Sequence, residues 1–144
     1  MKTIQHTNPD STIVNVDVGE RVTIAAGVTI GHAVFIGSGA IIGAGVTIGA
    51  NAVIGYESEI ERGVHIDAGT MLYSYVFVAR GATIGSNALI ESRAVISRGA
   101  TIGSGALVER GVLVRRGELV ENRAAIVIGD LAGRTERMVN AANG

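Results

Sequence analysis

The sequence predicts a single all-β solenoid, and three observations carry that expectation. From Val18 to Ile126 every sixth residue is a large aliphatic, nineteen in unbroken register, beginning Val18, Ile24, Ile30, Ile36 and ending Val114, Val120, Ile126. Two residues before these stands a smaller residue, such as Val28, Val34, Ala40, Val46 and Ala82. Three residues after them, Gly or Asn recurs, as at Gly27, Gly39, Gly45, Asn51, Gly63 and Asn87. A period of six fits neither the 3.5 of a coiled coil nor the 3.6 of a helix, so the repeat takes precedence over local propensity.

Each hexad reads as a short strand and a corner. The small and the large residue alternate inward around one outward residue. The recurrent Gly or Asn then marks a corner that needs a left-handed backbone, which these residues adopt at little steric cost.

Composition narrows the remaining classes. The 144 residues make one domain with no internal place to divide it. With 47% hydrophobic but only 3% aromatic residues, the core is built from small aliphatics, and 21 Gly beside a single Pro exclude collagen. A net charge of −1 argues against general nucleic-acid binding. The absence of cysteine excludes disulfides and thiolate chemistry. Residues 1–10 hold no apolar targeting segment and no apolar run approaches a membrane span, so a soluble, cytoplasmic protein without membrane contact is expected.

In chain order, residues 1–17 form a leader whose Ile13–Val18 run alternates like a strand and is expected to cover the open first coil. Residues 18–128 are the repeat. Residues 129–144 leave the register, and Asp130 to Val139 are expected to form a short helix or an irregular tail. Glu118 falls on an inward position, which predicts either an opening last coil or a carboxylate paired near an arginine.

The stretch VTIGHAVFIGSGAIIGAGVTIGANAVIG, Val28 to Gly55, resembles the hexapeptide-repeat superfamily, and the likeness extends over most of the chain. That resemblance implies a left-handed parallel β-helix with three hexads per 18-residue coil, hence about six coils and a prism roughly 30 Å long. It also implies an acyltransferase using acetyl-CoA or another acyl thioester, a small-molecule substrate and a homotrimer.

Stacking at intervals of 18 sorts the outward residues into columns. One carries Phe35, Val53, Met71, Leu89 and Leu107, a second Ile41, Glu59, Phe77, Val95 and Leu113, and a third Thr29, Thr47, His65, Thr83 and Thr101. The first two are apolar over more area than a monomer usually exposes, and the corner between them bears Tyr56, Tyr73 and Tyr75. These residues are the expected oligomer interface. The corner between the second and third columns carries Arg62, Arg80, Arg98 and Arg116 in one ladder, a candidate anion site unless carboxylates such as Glu59 and Glu61 interleave.

For catalysis, the resemblance places a histidine base at His32, the second residue after Ile30, where lipid A-type acyltransferases carry theirs. An imidazole titrating near neutrality suits deprotonation of an acceptor. His65, beside Glu61 and Asp67, is a second candidate. His6 lies in the leader and carries little information. The chain departs from the family enzymes in extruding no loop and in having Leu131 where their closing segment has proline. It also departs from the γ-class carbonic anhydrases, since Gly37 stands where a second zinc-ligand histidine is needed, so no metal is expected. Two other readings remain: a non-catalytic trimerisation scaffold, and, from the threonine column, an ice-binding surface.

Overall fold

The computed structural model describes residues 1–129 and 136–141. Strands β1 (Lys2–Thr7) and β2 (Ile13–Val18) are followed by two-residue strands at every sixth position, from β3 (Thr23–Ile24) to β19 (Leu119–Val120). The chain then closes with β20 (Ala124–Gly129) and β21 (Glu136–Ala141). The described residues contain no helix, and therefore none long and apolar enough to cross a membrane. The result is a β-solenoid of about six coils.

Three sheets form its sides, one of nine strands and two of six. Within them the strands from β2 to β20 pair in parallel with the strand one coil away, as in Phe35↔Val53, Phe77↔Val95 and His65↔Thr83. The first sheet carries the Phe35 column, the second the Phe77 column and the third the threonine column. We name the edges between them by their residues: tyrosine edge (first to second sheet), arginine edge (second to third) and histidine edge (third to first).

Inside, the register of six becomes a stack of isoleucines. Ile30, Ile36, Ile42, Ile54 and Ile60 are wholly buried, each stabilising the fold by about 1.5–3 kcal/mol relative to exposure. Polar residues at the small inward position are satisfied. The buried Ser58 hydroxyl donates to the Tyr73 carbonyl at 2.9 Å and accepts the Val76 N–H at 3.1 Å. Thr70 Oγ1 donates to the Gly85 carbonyl at 2.9 Å.

All corners adopt positive φ at the expected position, and glycine is not obligatory there. Arg21, Ala33, Glu57, Tyr75, Arg93 and Arg123 hold φ between 56 and 66° alongside the glycines and asparagines. Backbone hydrogen bonds between coils hold the corners, as with Glu57 N–H to the Ser38 carbonyl of the preceding coil at 2.9 Å, and this overrides the residue's own preference.

Both ends of the stack lack a coil to pair with, and side chains replace it. Toward the N-terminal end, β4 (Thr29–Ile30) is the last strand of the third sheet. Asn8, 6% exposed, accepts the Ile30 N–H with Oδ1 at 2.8 Å and donates from Nδ2 to the Ile30 carbonyl at 3.0 Å. His6 Nε2 lies 2.8 Å from the Val28 carbonyl, a partner that requires Nε2 to donate. The first sheet is covered by backbone instead, with β1 paired antiparallel to β2. Asp10 closes the intervening turn by accepting from Thr12 Oγ1 at 2.6 Å and Thr12 N–H at 3.0 Å.

At the other end Glu118 Oε1 accepts the Arg115 N–H at 2.8 Å. One coil earlier the equivalent N–H, of Ser97, donates to the Val114 carbonyl at 2.9 Å. The half-exposed Glu118 carboxylate thus occupies the place of a carbonyl from the next coil. The helix expected over Asp130 to Val139 falls partly on residues 130–135, outside the described ones. Where description resumes, Glu136–Ala141 is a strand, antiparallel to β20. Its backbone takes up the free edge of the last rung, a gain that the isolated segment's helix propensity does not offset.

Two glycines separate conformational from steric demand. Gly45 has φ 70° and open space around an added Cβ, whereas a Cβ on Gly31 would meet Ala50 N at 2.6 Å. Gly45→Val is expected to cost about 1–2 kcal/mol in urea unfolding, and Gly45→Asn much less, because asparagine tolerates the left-handed region. Gly31→Asn is expected to gain nothing over Gly31→Val, since contact with the next coil is the obstacle. Equal rescue at both positions would refute this division.

The hydrogen bonds from Thr12, the side-chain one foremost, hold the Asp10 carboxyl below its ordinary value. Its contribution to the turn is therefore present above the normal carboxylate range and fades as pH falls through the folded-state value. Thr12→Val is expected to move the Asp10 titration upward in an NMR pH series.

Candidate functional site

The histidine edge concentrates the groups able to move a proton. His65 opens β10 (His65–Ile66), between the strands of Thr47 and Thr83. Period-two alternation puts residues 65 and 67 on the same side of the chain. His65 Nε2 and Asp67 Oδ1 are 2.6 Å apart, with side chains 49% and 44% exposed. For neutral imidazole, the carboxylate selects the tautomer protonated at Nε2 and leaves the Nδ1 lone pair available. Of the two carboxylates near His65 in sequence, only Asp67 is engaged with it. Glu61 Oε1 instead accepts the Arg80 N–H at 3.0 Å.

His32 lies on the same edge, two coils closer to the N-terminal end. It is exposed, its carbonyl accepts the Asn51 N–H at 2.9 Å, and its ring has no partner among the described residues. The corner column that starts with His32 continues as Ala50, Ala68, Ser86 and Ser104, with Ser86 Oγ 3.2 Å from Ser104 Oγ. At about 4.8 Å per coil, His32 and Ala68 are roughly 10 Å apart along the axis. His6 is engaged with the Val28 carbonyl. Among the described residues no three His, Asp or Glu side chains come together as metal ligands.

The arginine edge is less compensated than Glu59 and Glu61 suggested. Arg62, Arg80, Arg98 and Arg116 are exposed, and among the described residues none forms an ion pair within 4.0 Å. Glu61, as noted, is committed to a backbone N–H. Arginines find partners at the tyrosine edge instead: Arg21 meets Glu57 at 3.5 Å, and Arg93 lies 4.8 Å from the centre of the Tyr75 ring. Tyr56, Tyr73 and Tyr75 are 42–58% exposed. The flanking columns are continuous, with Met71, Ile41 and Leu113 exposed and Phe35, Val53, Phe77, Leu89, Val95 and Leu107 half-buried.

What sequence reasoning missed is the Asn8 and His6 clip. The only local sign of it was the turn-forming Asn8-Pro9-Asp10.

The fold has known relatives. Family models described as bacterial transferase hexapeptide (six repeats) and as hexapeptide repeat of succinyl-transferase match residues 27–62, and 10–32 with 81–116, respectively. No curated protein matches the chain. Among solved structures, perosamine N-acetyltransferase from Caulobacter crescentus, in complex with CoA and GDP-perosamine, superimposes with TM-score 0.72 at 21% identity. That alignment covers 85% of this chain and 57% of the other. The acetyltransferase domain of PglB from Neisseria gonorrhoeae gives TM-score 0.70 at 17% identity, over 88% and 57% of the two chains. A hexapeptide transferase family protein from Anaplasma phagocytophilum gives 0.66 at 20%, over 87% and 78%. The chain thus spans a little over half the length of the first two, and at these identities the likeness is one of fold. With its six-residue register, its three parallel sheets and the family models that match along it, this chain belongs to the hexapeptide-repeat superfamily.

Proposed function

We propose that this protein transfers an acyl group from a coenzyme A thioester to a hydroxyl or amine acceptor, with His65 as general base. The observation that carries the reading is the 2.6 Å contact between His65 and Asp67. It supplies what His32 lacks, a carboxylate that orients the ring and stabilises the imidazolium formed when the base accepts a proton. Support for the donor comes from relatives of the same fold crystallised with CoA.

In this reading Nδ1 of His65 removes the acceptor's proton as its oxygen or nitrogen attacks the thioester carbonyl. The new C–O or C–N bond forms, the C–S bond breaks, and the imidazolium returns the proton to the departing thiolate. Thr47 and Thr83, one coil to either side in the same column, are the nearest outward hydroxyls in register for orienting the acceptor.

The assembly we propose is a homotrimer that covers the two apolar columns around the tyrosine edge and brings each histidine edge to the rim of a subunit junction. The uninterrupted register favours a second reading, a scaffold that only assembles. Between β3 and β19 no corner is long enough to form a lid.

Calorimetric titration with acetyl-CoA is expected to show saturable binding that survives raised salt; absence of such binding would favour the scaffold. His65→Ala is expected to lower turnover by about 10²- to 10⁴-fold with the assembly intact, Asp67→Asn to lower it less, and His32→Ala to leave it unchanged. Loss with His32→Ala alone would transfer the role of base to that residue. Phe77→Glu is expected to reduce the sedimentation coefficient to that of a monomer, and an unchanged value would remove the second sheet from the interface.

A further inference from the structure

The arginine edge differs from the other two in its glycines. All eighteen corners from Arg21 to Arg123 have positive φ, yet at the histidine and tyrosine edges that position is filled by Arg, Ala, Asn, Glu and Tyr as well as Gly. At the arginine edge it is Gly without exception: Gly27, Gly45, Gly63, Gly81, Gly99 and Gly117. Neighbouring atoms do not require this, because a Cβ at Gly63, Gly81, Gly99 or Gly117 would meet nothing within 4 Å. The glycines leave a bare strip of backbone along the solenoid, open to close approach from outside.

The Arg62, Arg80, Arg98 and Arg116 ladder borders this strip on one side, and the outward third-sheet residues Thr47, His65, Thr83, Thr101 and Leu119 border it on the other. The segment Arg-Gly-Ala-Thr-Ile-Gly-Ser occurs identically at 80–86 and 98–104, so two successive coils present the same guanidinium, bare backbone and hydroxyl in register. A shallow groove of about 560 Å³ follows the glycine strip, lined by Ala44, Arg62, Arg80, Arg98 and the glycines between them, with no carboxylate. The groove on the second-sheet side contains Glu59 and Glu61. Arg62, Arg80 and Arg98 thus line both grooves, and the carboxylates stand only in the second.

We propose that this strip binds a linear anionic polysaccharide lying along the solenoid axis, its carboxylate or sulfate groups on the guanidiniums and its hydroxyls on the threonines. Arginine's planar fork matches both anions. The hydroxyl column distinguishes the ligand from a nucleic-acid strand, which needs aromatic platforms for its bases. The three tyrosines lie on the tyrosine edge instead, across the solenoid from this strip, and the two phenylalanines stand on the first and second sheets.

The test titrates the full chain, without any acyl donor, with a galacturonic-acid oligomer and a heparin oligosaccharide. Inorganic polyphosphate and an oligothymidylate serve as charge-matched probes. One or both glycans are expected to bind saturably, the carboxylated and sulfated probes distinguishing which anion is preferred. Arg80→Gln/Arg98→Gln is expected to weaken this binding at least tenfold, and Arg62→Gln/Arg116→Gln serves as a second pair should the first not fold. Thr83→Val/Thr101→Val is expected to weaken glycan binding at least threefold while leaving polyphosphate binding unchanged. Absence of glycan binding would overturn the proposal, as would glycan binding indifferent to the arginines. Oligothymidylate or polyphosphate binding as tightly as the glycans, with the threonine variant indistinguishable from its parent, would overturn it in favour of charge alone. The strip shares Thr83 with the proposed acceptor site, so the arginine variants separate the two readings: with no acyl donor present, failure of glycan binding leaves the acyl-transfer reading intact, and loss of acyl transfer in His65→Ala with glycan binding retained leaves this one.

Discussion

The interaction on which this structure depends is the backbone hydrogen bond between coils. Thr29 N–H to Val46 carbonyl at 2.9 Å and Gly31 N–H to Ile48 carbonyl at 2.8 Å are typical, and the pattern recurs around all three sheets. Strands of two residues form little within themselves. They persist because each is fixed above and below, and because the buried isoleucines align only if every coil has the same length. The 18-residue period follows from this: one inserted residue would turn each later inward side chain outward. The same ladder holds Arg21, Glu57 and Tyr75 in a backbone region they would not choose alone.

A ladder of this kind cannot close on itself, so its two ends present unpaired groups. At one end Asn8 presents donor and acceptor to Ile30 in the spacing of a peptide group. At the other, Glu118 presents an oxygen to the N–H of Arg115. Glu118, inward by register, is half-exposed and gives Arg115 N–H an acceptor where, among the described residues, no strand follows β18 in the second sheet. β3 is different. It ends the second sheet, and no residue of the leader pairs with it among those described. The half-buried Val22 and Ile24 beside it line a groove of about 560 Å³ with Met1, Lys2 and Ile4.

The fold was legible because the repeat signal is local and reinforced many times. Any one hexad is ambiguous, but the unbroken succession from Val18 to Ile126 is not. The corners were legible for the same reason, although glycine and asparagine marked only some of them, and Arg21 or Tyr75 gave no sign of the left-handed backbone they adopt. The site was less legible. Spacing of two brought His65 and Asp67 together as alternation requires, but sequence proximity also suggested Glu61, which belongs to the preceding corner and is engaged elsewhere. The Asn8 clip joins residues 22 apart across the end of the stack, in the leader, where the period is no guide. The segment after Ile128 posed the converse problem: with the period gone, local propensity suggested a helix, whereas pairing with β20 gives Glu136–Ala141 a strand.

The pairing of each coil only with its neighbours also shapes how the molecule opens. Stability in such a stack is close to a sum of coil terms and junction terms, as in a one-dimensional chain of coupled units. Opening then starts where one junction is absent, and amide protection rises from the ends toward the middle instead of following depth from a surface. The N-terminal clip sets where that gradient begins. If Asn8 is detached, the stack does not collapse but exposes β4, a rung like the others, and the next coil becomes the new boundary.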